Sequence, residues 1–156
     1  MLAYVLWHRP RVDVGREAYE ESLRRFHASL GVRSASFRLR ELPFSKLDGY
    51  EDWYLVDDWA ALGELNAAAI DQRRRGSHDL VAGLSADGWG GVYLLVGGTP
   101  EIPAGTLWLS KPPDTSYAVF LGGLGSPASV WQRQMVLAPA PEFCVAGGPT
   151  VDRVSI

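Results

Sequence analysis

The chain of 156 residues contains one cysteine, Cys144. A single thiol excludes an intrachain disulfide and any cysteine-built metal cluster. Cys144 sits in the apolar run Phe143, Cys144, Val145, Ala146, where a small buried hydrophobe is expected rather than a nucleophile. Positive charge is also in short supply. Fifteen Lys and Arg against 18 Asp and Glu leave a net charge of −3. Phosphate backbones call for a basic face, so nucleic acid is not expected as a partner. The one basic run, Arg73, Arg74 and Arg75, suits the last turn of a helix, with anion binding as the alternative.

Long apolar runs are missing too. Nothing approaches the roughly 20 residues of a membrane span. Leu2 to Trp7 is apolar but short, meets His8, Arg9 and Pro10, and lacks the basic start of a signal segment. A cytoplasmic protein without membrane contact is therefore expected. The three His residues show no metal-ligand spacing, and there is no G-x-S-x-G elbow, G-x-G-x-x-G turn or phosphate loop. Gly122-Gly123-Leu124-Gly125 follows a helix where a phosphate loop would precede one. No metal and no cofactor are expected.

What is present is an ordinary globular composition, 47% hydrophobic and 21% charged, which fits a single domain over 1–156. Six Trp stand out. They point to an aromatic core or a cleft lined by rings, the core being the plainer reading.

Leu2 to His8 is apolar on both faces, as a central strand would be. Asp13 can cap a helix to about Leu30, in which Tyr19, Leu23, Phe26 and Leu30 recur at three- and four-residue steps and Gly31 is the stop. Ser34 to Leu42 alternates, with Ala35, Phe37 and Leu39 on one face and Ser36, Arg38 and Arg40 on the other. A strand from Asp52 to Val56 runs into Asp57-Asp58, either of which caps a helix bearing Trp59, Leu62, Leu65 and Ala69 on one face. Ser77 can cap a further turn to Leu84, and Gly91 to Val96 is the next strand.

This strand, helix, strand, strand, helix, strand order predicts an α+β fold. Its core is a ferredoxin-like βαββαβ unit over 1–98, an antiparallel sheet with both helices on one face. The other sheet face then needs a cover. A Gly/Pro-rich connector leads to a partial βαββ echo over 106–148, packed on the first unit. It comprises Leu107 to Pro112, a short helix capped by Asp114 or Ser116, and strands Val130 to Leu137 and Glu142 to Ala146.

Four segments carry a family resemblance: Tyr4-Val5-Leu6-Trp7, the helix with Phe26, the run Asp52-Trp53-Tyr54-Leu55-Val56-Asp57-Asp58-Trp59, and His78-Asp79-Leu80. On these the chain resembles the dimeric α/β-barrel group of ferredoxin-like proteins, which includes the antibiotic-biosynthesis-type monooxygenases. The resemblance implies that the open sheet face pairs with a second unit around a small-molecule site. A homodimer through that face or a sheet edge follows from it, unless the second half closes the barrel within one chain.

Site candidates are the polar and aromatic residues on that open face. Arg38 and Arg40 can hold an anionic ligand bidentately, or form salt bridges at an edge. His8 and His78 are the candidate general bases, with hydrogen-bonded structure as the alternative for each. His27, on the helix flank, is read as structural. Trp7, Trp53, Tyr54, Gln132 and Gln134 complete the expected ligand-contacting set, the rings being equally suited to core packing. These residues suit a protein that binds a small apolar or anionic molecule. Its chemistry would be that of a cofactor-independent monooxygenase, in which the ligand carbanion meets oxygen directly. The alternatives are a non-catalytic oligomeric interaction protein and, more remotely, a haem-binding barrel.

Overall fold

A computed structural model of the chain describes residues 1–70, 75–136, 139–147 and 153–156. Arg73 and Arg74 of the basic run, and Leu137 at the end of its predicted strand, lie outside the described residues. The fold is α+β. Among the described residues, four helices accompany one eight-stranded antiparallel sheet curled into a half-barrel.

In chain order the elements are β1 (Leu2–Pro10), α1 (Arg16–Leu30), β2 (Arg33–Leu39), β3 (Gly49–Val56), α2 (Trp59–Ile70), α3 (Arg75–Leu84) and β4 (Ser85–Gly98). They continue with β5 (Thr106–Leu109), α4 (Tyr117–Gly123), β6 (Ser129–Val136), β7 (Phe143–Ala146) and β8 (Arg153–Ser155). The strand order across the sheet is β5-β7-β6-β4-β1-β3-β2-β8. β1 is central as its two apolar faces predict, with Trp7 opposite Glu51 on β3 and Trp89 on β4.

Several local expectations change. Asp13 does not cap α1: Arg11 holds both its oxygens, at 3.0 and 2.6 Å, and Gly15 is the N-cap without a side-chain bond. Gly31 ends α1 in the left-handed conformation at φ 70°, which glycine adopts without steric cost. At α2, Asp58 Oδ1 accepts from the Ala61 N–H at 2.9 Å. Trp59 does not join the buried face; it is exposed in the first turn, while Leu65 is buried and Leu62 packs against the same core. Ser116 caps α4, accepting from the Val119 N–H. β3 starts at Gly49 and β4 at Ser85, both earlier than expected, and β8 had no counterpart in the sequence reading.

The two faces of the sheet carry separate cores. The helix side gathers Leu2, Phe26, Leu30, Tyr54, Val56, Leu65 and Val92. Tyr19, Leu23 and Tyr50 form a smaller cluster with them on that side. The concave side holds Ala3, Val5, Trp7, Phe37, Leu39, Trp53, Leu55, Tyr93, Trp131 and Cys144. Trp7, Trp53, Trp131 and Tyr93 are fully buried there, and Trp108 packs on Trp7 at 5.0 Å and on Tyr93 at 5.3 Å between ring centroids. The six Trp are thus mostly core. The concave face is filled by rings that the chain itself supplies from both halves.

One carboxylate sits among these rings. Glu51 Oε2 accepts from the indole N–H groups of Trp7 and Trp108, both at 2.9 Å. Its Oε1 accepts from Trp53 at 2.7 Å and from the Arg153 guanidinium at 2.7 Å. Trp108 is on β5 and Arg153 on β8, the two ends of the strand order. Only a strongly curled sheet lets both edge strands reach one side chain of β3.

Candidate functional site

Alternation along β3 sets up the second polar cluster. If Glu51 points into the concave core, Asp52 must point to the helices. There it meets residues from β1, β2 and α1. His8 Nε2 lies 3.0 Å and His27 Nε2 3.3 Å from Asp52 Oδ2. The Tyr54 hydroxyl donates to the same oxygen at 3.0 Å, and Ser36 donates to Oδ1. Asp52 is 2% exposed. Burial alone would push its carboxyl up, but the neighbouring imidazoles of His8 and His27 outweigh that and hold it well below the ordinary carboxylate range.

The hydrogen-bond chain behind His8 assigns its tautomer. Ser85 donates its single hydroxyl proton to the Val81 carbonyl at 2.9 Å. Toward Tyr19, 2.7 Å away, Ser85 therefore accepts, so the Tyr19 hydroxyl is the donor. Tyr19 in turn accepts from His8 Nδ1 at 2.7 Å. Burial pushes the Tyr19 phenol up to about 12, which keeps that proton in place. In its neutral form His8 thus carries hydrogen on Nδ1 and a lone pair on Nε2. Nε2 faces Asp52 off the hydrogen-bond line and has no other partner. The ring is further held flat against Tyr50, at 5.7 Å and 5°.

Above this cluster, between the sheet and the helices, lies a cavity of about 400 Å³. Tyr4, Leu6, Phe26, Leu30, Leu65 and Val81 give it apolar walls, and His8, Asp52 and Tyr54 belong to its lining together with His78 and Asp87. That volume falls in the range of small-molecule sites, as does the pattern of apolar walls with a few polar groups. His78, on α3, sets its ring edge-on to Phe26 at 5.9 Å and places Nδ1 3.2 Å from the Asp79 carboxylate.

The structure therefore brings together His8, His78 and Tyr54 from the sequence-derived set, but on the helix side. Trp7 borders the cavity through β1 while its indole belongs to the concave core, as does that of Trp53. Arg38 also falls on the helix side, 3.6 Å from Glu20 of α1, and Arg40 is exposed beyond the end of β2. Neither arginine lines the cavity. Gln132 and Gln134 lie on β6, on the far side of β4 from β1, and are also outside its lining. Asp52, Tyr19 and Ser85 are absent from the site candidates read from the sequence, and His27, read there as structural, is the second imidazole on Asp52. Their signal was an acidic pair, Glu51-Asp52, inside an otherwise apolar strand.

Among the described residues no group of three His, Cys, Asp or Glu side chains is arranged to hold a metal ion. No described helix is long and apolar enough to cross a membrane. No protein-family model matches the chain, and no curated protein or solved structure matches it.

Proposed function

We propose that this chain binds a small, largely apolar molecule in the helix-side cavity and moves a proton on it, with His8 and His78 as the acid–base groups. The observation that carries this reading is convergence. His8 of β1 and His78 of α3, far apart in sequence, border one apolar cavity beside a buried, ionised Asp52. A proton reaching His8 Nε2 would rest between an imidazole and a carboxylate, which stabilises the charge it brings. His78 is the more accessible of the two, with its side chain 38% exposed, and its Nδ1 contact with Asp79 leaves Nε2 available to a ligand.

In the same reading 1–98 is a ferredoxin-like βαββαβ unit, supported by the spatial order β4-β1-β3-β2. Residues 106–148 take the place of a second unit over the concave face. A cofactor-independent monooxygenase is the enzyme class that such a site and such a unit would suit, because the ligand carbanion itself is the oxygen-reactive species.

The test is solvent-deuterium incorporation into an anthrone, followed by NMR, with oxygen uptake recorded in parallel. The wild-type chain is expected to speed exchange at the acidic C–H, and His78→Ala to lower the rate by about 100-fold, the usual weight of a general base. Exchange no faster than in buffer would remove the acid–base part of the reading.

A second reading, a non-catalytic oligomeric protein, draws on Leu94, Val96 and Met135, which stand exposed on β4 and β6. Under it, sedimentation would give a dimer that Leu94→Glu converts to a monomer, with no ligand taken up in the cavity.

A further inference from the structure

The lining of the helix-side cavity is lopsided in charge. Among its described lining residues are Asp52 and Asp87, and no Lys or Arg. Arg9 approaches Asp87 from outside at 3.5 Å, and the Asp87 side chain remains 46% exposed. A ligand that arrives as an anion would have to settle against two carboxylates, with no arginine or lysine among the described lining residues to meet it. That is costly in an apolar site.

When His8 is neutral, the floor asks for a donor. His8 Nε2, in a side chain 9% exposed, has no hydrogen-bond partner. In the neutral tautomer assigned above it is a lone pair set 3.0 Å from Asp52 Oδ2. Two acceptors at that distance repel unless a proton lies between them, either one held on Nε2 or one carried in by a ligand.

The walls add a third element. Tyr4 and Tyr54 stand 6.1 Å apart by ring centroid, and Phe26 stands 6.4 Å from Tyr54 and 5.9 Å from His78. Aromatic rings around a cavity that also holds carboxylates favour an organic cation through their negative π faces.

Resting on the reading of this cavity as a binding site, we infer that its ligand is a small organic amine in the ammonium form. The N–H groups are directed to Asp52 and His8, and the apolar body lies among Tyr4, Phe26 and Tyr54. Asp87 at the rim adds attraction for the same charge.

Isothermal titration at neutral pH with three probes of one ring system tests it: tryptamine (a cation), 3-ethylindole (neutral) and indole-3-propionate (an anion). Tryptamine is expected to bind at least roughly tenfold more tightly than 3-ethylindole, and the propionate most weakly of the three. Asp87→Asn alters a rim group away from the buried cluster. It is expected to weaken tryptamine by about three- to tenfold while leaving 3-ethylindole within about twofold. Equal affinity for the three probes, or preference for the propionate, overturns the amine inference and leaves the cavity as a binding site. Binding of none of them removes the binding-site reading, and the inference with it.

Discussion

Glu51→Gln is expected to lower folding stability by about 3–5 kcal/mol, nearly as much as Glu51→Ala. The reason is the inventory of its neighbours. Each oxygen of Glu51 accepts from two donors, Trp7 and Trp108 on one side and Trp53 and Arg153 on the other. A carboxylate has acceptor sites for all four. A glutamine amide turns one oxygen into an NH₂ group, so in either orientation two donors face a donor. It also strips Arg153 of its counter-charge inside the core. Burial already pushes the Arg153 guanidinium down, and the Glu51 charge is the main influence opposing this. The guanidinium stacks on Phe37 at 3.5 Å and donates to the Pro103 carbonyl, so it is not free to swing into water.

Urea unfolding followed by tryptophan fluorescence measures the loss directly. Because Trp108 and Arg153 belong to opposite edge strands, the variant should also lose the slow hydrogen exchange of β5 and β8 before that of β1. A loss below about 1 kcal/mol would mean that the four donors find other acceptors, and the carboxylate would not be what holds the curl. Adding Arg153→Met to Glu51→Gln should recover part of the loss by removing the stranded cation, which a double-mutant cycle resolves.

How much of this was legible in the sequence differs between the two faces of β3. The elements were readable where periodicity is strong: the α1 stripe of Tyr19, Leu23, Phe26 and Leu30 is buried as its spacing requires, and Gly31 stops the helix. The side that each strand face turns to was not readable. On β2, alternation separates Phe37 and Leu39 from Ser36 and Arg38 without saying which set meets the helices. The apolar set was expected under the helices, yet it lies in the concave core. Ser36 instead bonds Asp52, and Arg38 faces Glu20 on α1. Two buried acids explain the inversion. Glu51 and Asp52 give each side of the sheet a carboxylate, so polar partners are needed on both, and hydrophobicity alone no longer distinguishes them.

The candidate histidines were legible for a simpler reason. His8 closes an apolar strand, and His78 lies in the first turns of a helix that returns over it. The cavity between them depends on long-range packing of α1, α2 and α3, which no local pattern records. The short β8 strand was missed on the same ground: Arg153 looks like a surface residue until Glu51 is known to lie opposite it.

Asp52→Asn is expected to lower stability by about 3–5 kcal/mol at pH 7, and by progressively less as the pH falls below about 4. The sign follows from the carboxyl itself. In the folded chain burial would raise it, but His8 and His27 hold it well below the ordinary range, whereas in the unfolded chain it titrates near about 3.9. The stabilisation is therefore complete above the unfolded value. It drains away as acid protonates the unfolded chain first, and is gone only once the pH passes below the folded value. Asparagine has no such charge, so the variant and wild-type curves of urea midpoint against pH should converge toward acid. A gap that stays constant from pH 7 to pH 3 would count against an ionised Asp52 between two imidazoles and in favour of a purely packing role. Convergence would place a permanent negative charge beneath the apolar cavity at neutral pH. That charge is the feature on which both the proton chemistry of His8 and the preference for a cationic ligand depend.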